Sequence, residues 1–122
     1  MERVAAAVEA VRALPAPFVL TAQAEYLIRG NPDLDDTIRR LQAFEKAGAE
    51  VLYAPGLKTP DEVRTVCSAV SRPVNILATP LLTVSAIAEA GGKRISLGGA
   101  LARTGVGGFL DAAREIRDTG AF

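Results

Sequence analysis

The chain has no histidine, no tryptophan, a single cysteine and only 5% aromatic residues. Without histidine it lacks the one side chain whose ordinary pKa lies near neutrality, and with it the commonest general base. Ser–His and Cys–His nucleophile pairs are excluded on the same ground. The lone Cys67 excludes an internal disulfide. It lies in a helical pattern beside Val63, Val66 and Val70, where it reads as a buried apolar thiol. Lys+Arg and Asp+Glu are equal at 14 each, so the formal net charge is zero. That balance leaves no electrostatic footprint for nucleic acid, and the scarcity of aromatics leaves no base-stacking platform. No stretch approaches the ~20 apolar residues of a membrane span. Glu2 and Glu9 interrupt any apolar leader. The expectation is a protein of the reducing cytoplasm with no nucleic-acid and no membrane partner.

What is present is a core. Hydrophobic residues make up 49% of the 122 residues and charged residues 23%, which suits one globular domain. The organising stretch is GAEVLYAPGLKTPDE, residues 48–62. Gly48 ends a helix, 50–53 form an apolar strand, 54–58 a loop, and Thr59-Pro60-Asp61-Glu62 starts the next helix. Thr59 and Glu62 have the spacing of a capping box, and Pro60 stands where a missing N–H costs nothing.

The rest of the chain repeats this unit. Residues 1–14, Met1 to Leu14, read as a helix ended by Pro15 and Pro17. Phe18 to Thr21 is an apolar strand, and a polar loop through Pro32 follows it. Asp33 to Ala47 is an amphipathic helix with Asp33 as N-cap and Asp35 and Asp36 favouring its positive start. Adjacent helical residues diverge by about 100°, so this acidic pair reads as dipole partners and not as a metal site. Pro60 to Val70 is a helix, Val74 to Ala78 a strand, Thr83 to Ala90 a short capped helix, and Arg94 to Leu97 the fourth strand. Gly107-Gly108 is expected to break the last pattern, leaving a final helix from Phe109 to Thr119. Alternating strands and helices imply an α/β fold with a parallel sheet and right-handed crossovers. PAPFVLTA echoes RPVNILAT and GAEVLYAPG echoes GGKRISLGG, a weak repetition that suggests a (β/α) barrel over an open sheet.

The segments PFVLTAQAEYLIRGNPDLDDTIRRLQAFEKAGAEVLYAPGLKT, RPVNILA, KRISLGGALAR and GGFLDAAREI resemble the C-terminal half of the isocitrate lyase/phosphoenolpyruvate mutase superfamily. The similarity is greatest to its phosphonomutase and 2-methylisocitrate lyase-like members. It implies a (β/α)8 barrel of the TIM type, with the four strands here as the fifth to eighth. A whole barrel takes ~250 residues, so a partial barrel is expected, as in a truncated or split enzyme. The resemblance further implies a small 2-oxo or hydroxy carboxylate as substrate and a C–C or P–C bond made or broken beside it. Mg²⁺ would stabilise an enolate as a Lewis acid, with its ligands in the half that is missing.

In the site the resemblance implies, Gln23 stands where the family has an arginine that grips a substrate carboxylate. A neutral amide does not replace a guanidinium. Glu25 matches an acidic residue that follows. Tyr53 and Gly56 are placed at the middle of the mouth, where Ala54-Pro55 stands in place of a lyase glutamate, and Thr79 is the polar residue after the seventh family strand. Ser96, Gly98, Gly99 and Arg103 fit the pattern after the eighth, the last three beside an anionic group. No catalytic acid or base is assigned. The active completed barrel is one reading; a catalytically silent fragment or binding module is the other. Closure has three forms: two copies in a symmetric barrel, completion by a missing N-terminal half, or a small open sheet with helices on both faces. A flavodoxin-like domain is a weaker alternative.

Overall fold

Three helices start at side-chain caps. The Asp36 N–H donates to Asp33 Oδ1 at 2.7 Å. The Glu62 N–H donates to Thr59 Oγ1 at 3.2 Å while the Thr59 N–H donates to Glu62 Oε2 at 3.3 Å, completing the expected capping box. The Ala86 N–H donates to Thr83 Oγ1 at 3.2 Å. Each cap satisfies a donor that a helix start otherwise leaves bare. Gly48 lies just past a helix end with φ of +101°, a backbone state open to glycine at little cost.

A computed structural model describes residues 2–121. Its elements are α1 (Glu2–Arg12), β1 (Thr21–Gln23), α2 (Leu34–Lys46), β2 (Val51–Tyr53), α3 (Pro60–Ser68), β3 (Val74–Leu77), α4 (Val84–Glu89), β4 (Arg94–Ser96) and α5 (Ala100–Thr119). Met1, the first residue of the expected N-terminal helix, lies outside the described residues.

Two expectations are corrected. The first strand starts at Thr21, not Phe18, and Phe18 and Val19 are exposed. They belong to the approach to the sheet: only from Leu20 onward does the chain accept bonds from the neighbouring strand. Gly107-Gly108 does not interrupt the last helix, which runs unbroken for 20 residues. A glycine in a helix costs about 1 kcal/mol and forbids nothing. Ending the helix falls instead to Gly120, in the left-handed region with φ of +72°.

The four strands are parallel and lie in the order β1-β2-β3-β4. With right-handed crossovers, stepping always in one direction puts α2, α3 and α4 on one face of the sheet. A doubly wound sheet reverses its order to cover both faces. The two-faced open sheet and the flavodoxin-like alternative are therefore not what this chain forms.

Side chains alternate between faces. Ala22, Leu52, Val74 and Ile76 point to the helices and join Leu41, Val63, Val66 and Ile87 in the buried core. Thr21, Gln23, Val51, Tyr53, Asn75, Leu77, Arg94 and Ser96 alternate with them and point to the other, open face. In a flat sheet β1 and β4 would lie about 14 Å apart. Arg94 Nη1 nevertheless donates to Thr21 Oγ1 at 2.9 Å, so the sheet curls toward its open face like the wall of a barrel. No residue of α5 is buried, and Leu101, Val106, Phe109, Leu110 and Ile116 are all exposed.

Candidate functional site

Parallel strands bring their C-terminal ends to one rim. Gln23 ends β1, Tyr53 ends β2, Ala78 and Thr79 follow β3, and Gly98-Gly99 follow β4. The residues singled out from the sequence are thus brought to one rim of the sheet. Such a rim is where parallel α/β folds carry their ligands.

At β1 the Gln23 side chain is exposed, and its Nε2 donates to Glu25 Oε1 at 3.2 Å. Glu25 also accepts from Arg29 Nε at 3.0 Å and Nη2 at 2.7 Å, a two-pronged pair on the surface. Arg29 therefore holds the Glu25 carboxylate in one orientation beside Gln23. Tyr53 is half-buried. Gly56 sits against the backbone of Leu27 and Ile28, so the loops after β1 and β2 touch through it.

At β3 and β4 a cleft of about 540 Å³ is lined by Ala78, Thr79, Pro80, Gly98, Gly99 and Arg103. Gly99 is the N-cap of α5 and has no side chain to cap the helix. The first N–H groups of α5 and the Arg103 guanidinium give this end of the rim a positive character. Beside the Glu25 carboxylate, which takes the Gln23 amide, the polar groups along the rim are the Tyr53 and Thr79 hydroxyls, backbone N–H groups and Arg103. Together they suit an anion such as a carboxylate or phosphonate.

Asp36 accepts from Arg40 Nε at 2.6 Å, and Arg40 stacks 3.8 Å from the centre of the Tyr26 ring. That guanidinium holds the Asp36 carboxyl below the usual carboxylate range. Among the described residues no three His, Cys, Asp or Glu side chains group to hold a metal ion. The described residues do not fit a magnesium site. Burial pushes the Cys67 thiol up, which keeps it protonated and unreactive.

Two features escaped sequence reasoning. The sequence places Asn75 in a strand and assigns it no role, yet it is 2% exposed, its Nδ2 donates to Ser96 Oγ at 2.9 Å, and its Oδ1 has no partner among the described residues. Arg94 was read as a strand start, yet it crosses the open face to Thr21. The one signal for Asn75 was an amide inside VNIL; for Arg94 none existed before the strand register was known.

A family model described as phosphoenolpyruvate phosphomutase matches residues 1–117. The chain is similar to an uncharacterised protein of Mycobacterium tuberculosis, 32% identical over 104 residues, covering 85% of this chain and 40% of that protein. It superposes on a crystal structure described as a lyase/mutase from Burkholderia cenocepacia J2315, with TM-score 0.93 and 53% identity over 99% of this chain and 45% of the other. A phosphonopyruvate hydrolase is 31% identical with TM-score 0.78, covering 98% of this chain and 43% of that one. The chain spans less than half the length of each of these proteins.

Proposed function

The chain belongs to the phosphoenolpyruvate phosphomutase family, and from that premise we propose that it supplies the substrate-carboxylate side of a barrel enzyme. Its substrate is a small 2-oxo or hydroxy acid, and the reaction makes or breaks a C–C or P–C bond beside the carboxylate. The observation that carries this reading is the row of donors along one strand rim, from Gln23 to Arg103. Phosphonopyruvate hydrolysis, the activity of a relative of 31% identity, is one reaction of this class. Divalent-metal chemistry accompanies the family; among the described residues no donor set for it is grouped, and the part of this chain is to bind and orient the anion. Gln23 contributes an uncharged donor, Arg103 and the start of α5 a positive end, and Arg29 fixes Glu25.

The test completes the barrel by mixing the 122-residue chain with the part of the Burkholderia relative that it does not cover. Turnover of phosphonopyruvate or oxaloacetate is expected with Mg²⁺ in the mixture and in neither part alone. Gln23→Arg restores a charge-assisted contact and is expected to tighten oxalate binding about 10- to 100-fold. Unchanged binding removes position 23 from the carboxylate grip. An uncharged Gln23 at the grip position, the absence of histidine and the lack of a metal donor set among the described residues favour a second reading, a silent binding module. Oxalate binding without turnover in the completed barrel would assign the chain to it.

A further inference from the structure

We propose that the open face of the sheet receives a set of four βα units bearing a carboxylate that pairs with Arg94, and that it does not close on a second copy of this chain. The inference rests on the half-barrel reading above and goes beyond it in stating what the other half must carry.

Arg94 stands on an edge strand and points to the open face. Its only side-chain partner among the described residues is Thr21 Oγ1, at 2.9 Å. None of the six ion pairs among the described residues includes it. A guanidinium has five N–H donors and stays charged at any working pH. Beside it in register is Asn75, 2% exposed and with its Oδ1 unpartnered. The same small region thus offers an unpaired cation and a buried acceptor without a donor.

Closing the barrel converts this face into a dry interior. An unpaired charge or acceptor is costly there, and removing one partner of a buried pair costs far more than losing a surface pair. A second copy brings a second Arg94 into the same interior. The open-face residues it would bring with it are Thr21, Gln23, Val51, Tyr53, Asn75, Leu77 and Ser96, none of them acidic. Symmetric closure therefore leaves two guanidiniums facing each other with no counter-charge. The occupant that fits is a half with an Asp or Glu directed at the Thr21–Arg94 bridge. β1 and β4 offer it two unpaired strand edges, and relatives of more than twice this length match the chain over less than half of themselves.

Sedimentation velocity tests this with the full chain and, as probe, the part of the Burkholderia cenocepacia relative that the chain does not cover. The wild-type chain is expected to form a 1:1 complex with that probe and to remain at 12.7 kDa when alone. Arg94→Met, checked for fold by circular dichroism, is expected to weaken the complex about 10-fold or more, because the facing carboxylate is left unpaired. Arg94→Lys keeps the charge and is expected to recover part of that loss. Arg94→Met alone is expected to self-associate more than wild type. A stable wild-type dimer of twice 12.7 kDa, or equal probe affinity for wild type and Arg94→Met, overturns the inference. The second of these outcomes leaves the proposed function standing, because the rim residues take no part in the Arg94 contact. The absence of any complex overturns the half-barrel premise with it.

Discussion

Gly56→Ala is expected to destabilise the chain by about 3 kcal/mol, the sum of two separate costs. Gly56 has φ of +107°, a conformation an L-residue occupies only under strain of about 1–2 kcal/mol. A β-carbon there would also lie 2.8 Å from the Ile28 nitrogen and 2.9 Å from the Leu27 carbonyl carbon. Both are backbone atoms, so no rotamer change relieves the contact, and the loop after β1 must move. Displacement of that kind costs about 1–3 kcal/mol more. The same loop carries Glu25 and Arg29, so the pair beside Gln23 moves with it. Urea unfolding measures the effect as a lower midpoint with an unchanged slope. A loss under 1 kcal/mol would mean that the loops after β1 and β2 do not meet through this residue.

Leu52→Ala is expected to cost about 3–4 kcal/mol, in the usual range for emptying a leucine site that cannot collapse. Leu52 is fully buried at the centre of β2, an inner strand, and belongs to the core cluster with Leu41, Val63, Val66 and Ile76. Strands on both sides and helices above hold the walls of the resulting cavity apart. Val19→Ala serves as the contrast. Val19 is 60% exposed and precedes the strand, so its truncation is expected to cost no more than about 0.5 kcal/mol. Thermal or urea denaturation of the two variants separates the observed strand from the apolar run that leads into it. Equal losses would return Val19 to the sheet.

Much of the fold was legible because its signals are local. Asp33, Thr59 with Glu62, and Thr83 each bond a backbone N–H within three residues of themselves, and such spacing is visible in a string of letters. Gly48 likewise announces a helix end. Strand starts were less legible: Phe18, Val19 and Leu20 are as apolar as a buried strand, and only pairing with β2 distinguishes approach from ladder. The glycines of α5 misled in the opposite direction, because propensity penalises a helix without deciding it.

Rim and open face differ in the same way. Gln23, Tyr53, Gly98, Gly99 and Arg103 could be placed near strand ends because a βα pattern alone locates those ends. Strand order is a long-range property, and it decides between a barrel wall and a doubly wound sheet. The bond from Arg94 to Thr21 joins residues 73 positions apart, and the empty acceptor on Asn75 exists only in the folded register. Neither is a property of any short segment, so neither could be read before the strands were aligned.

Hydrogen exchange of the β1 amides tests the central claim, that this sheet is one half of a barrel wall. The Ala24 N–H donates to Tyr53 O across the β1–β2 pair at 2.8 Å. Amides alternate in direction along a strand, so those of Thr21 and Gln23 point to the open edge. In the chain alone they are expected to exchange quickly, while the Leu52 amide, which donates to Pro73 O at 2.9 Å, exchanges slowly. On adding the uncovered part of the Burkholderia relative, Thr21 and Gln23 are expected to become as protected as Leu52. Rates at Thr21 and Gln23 that stay unchanged while the two parts are bound to each other would contradict the account, because the contact would then lie elsewhere than the edge of the sheet.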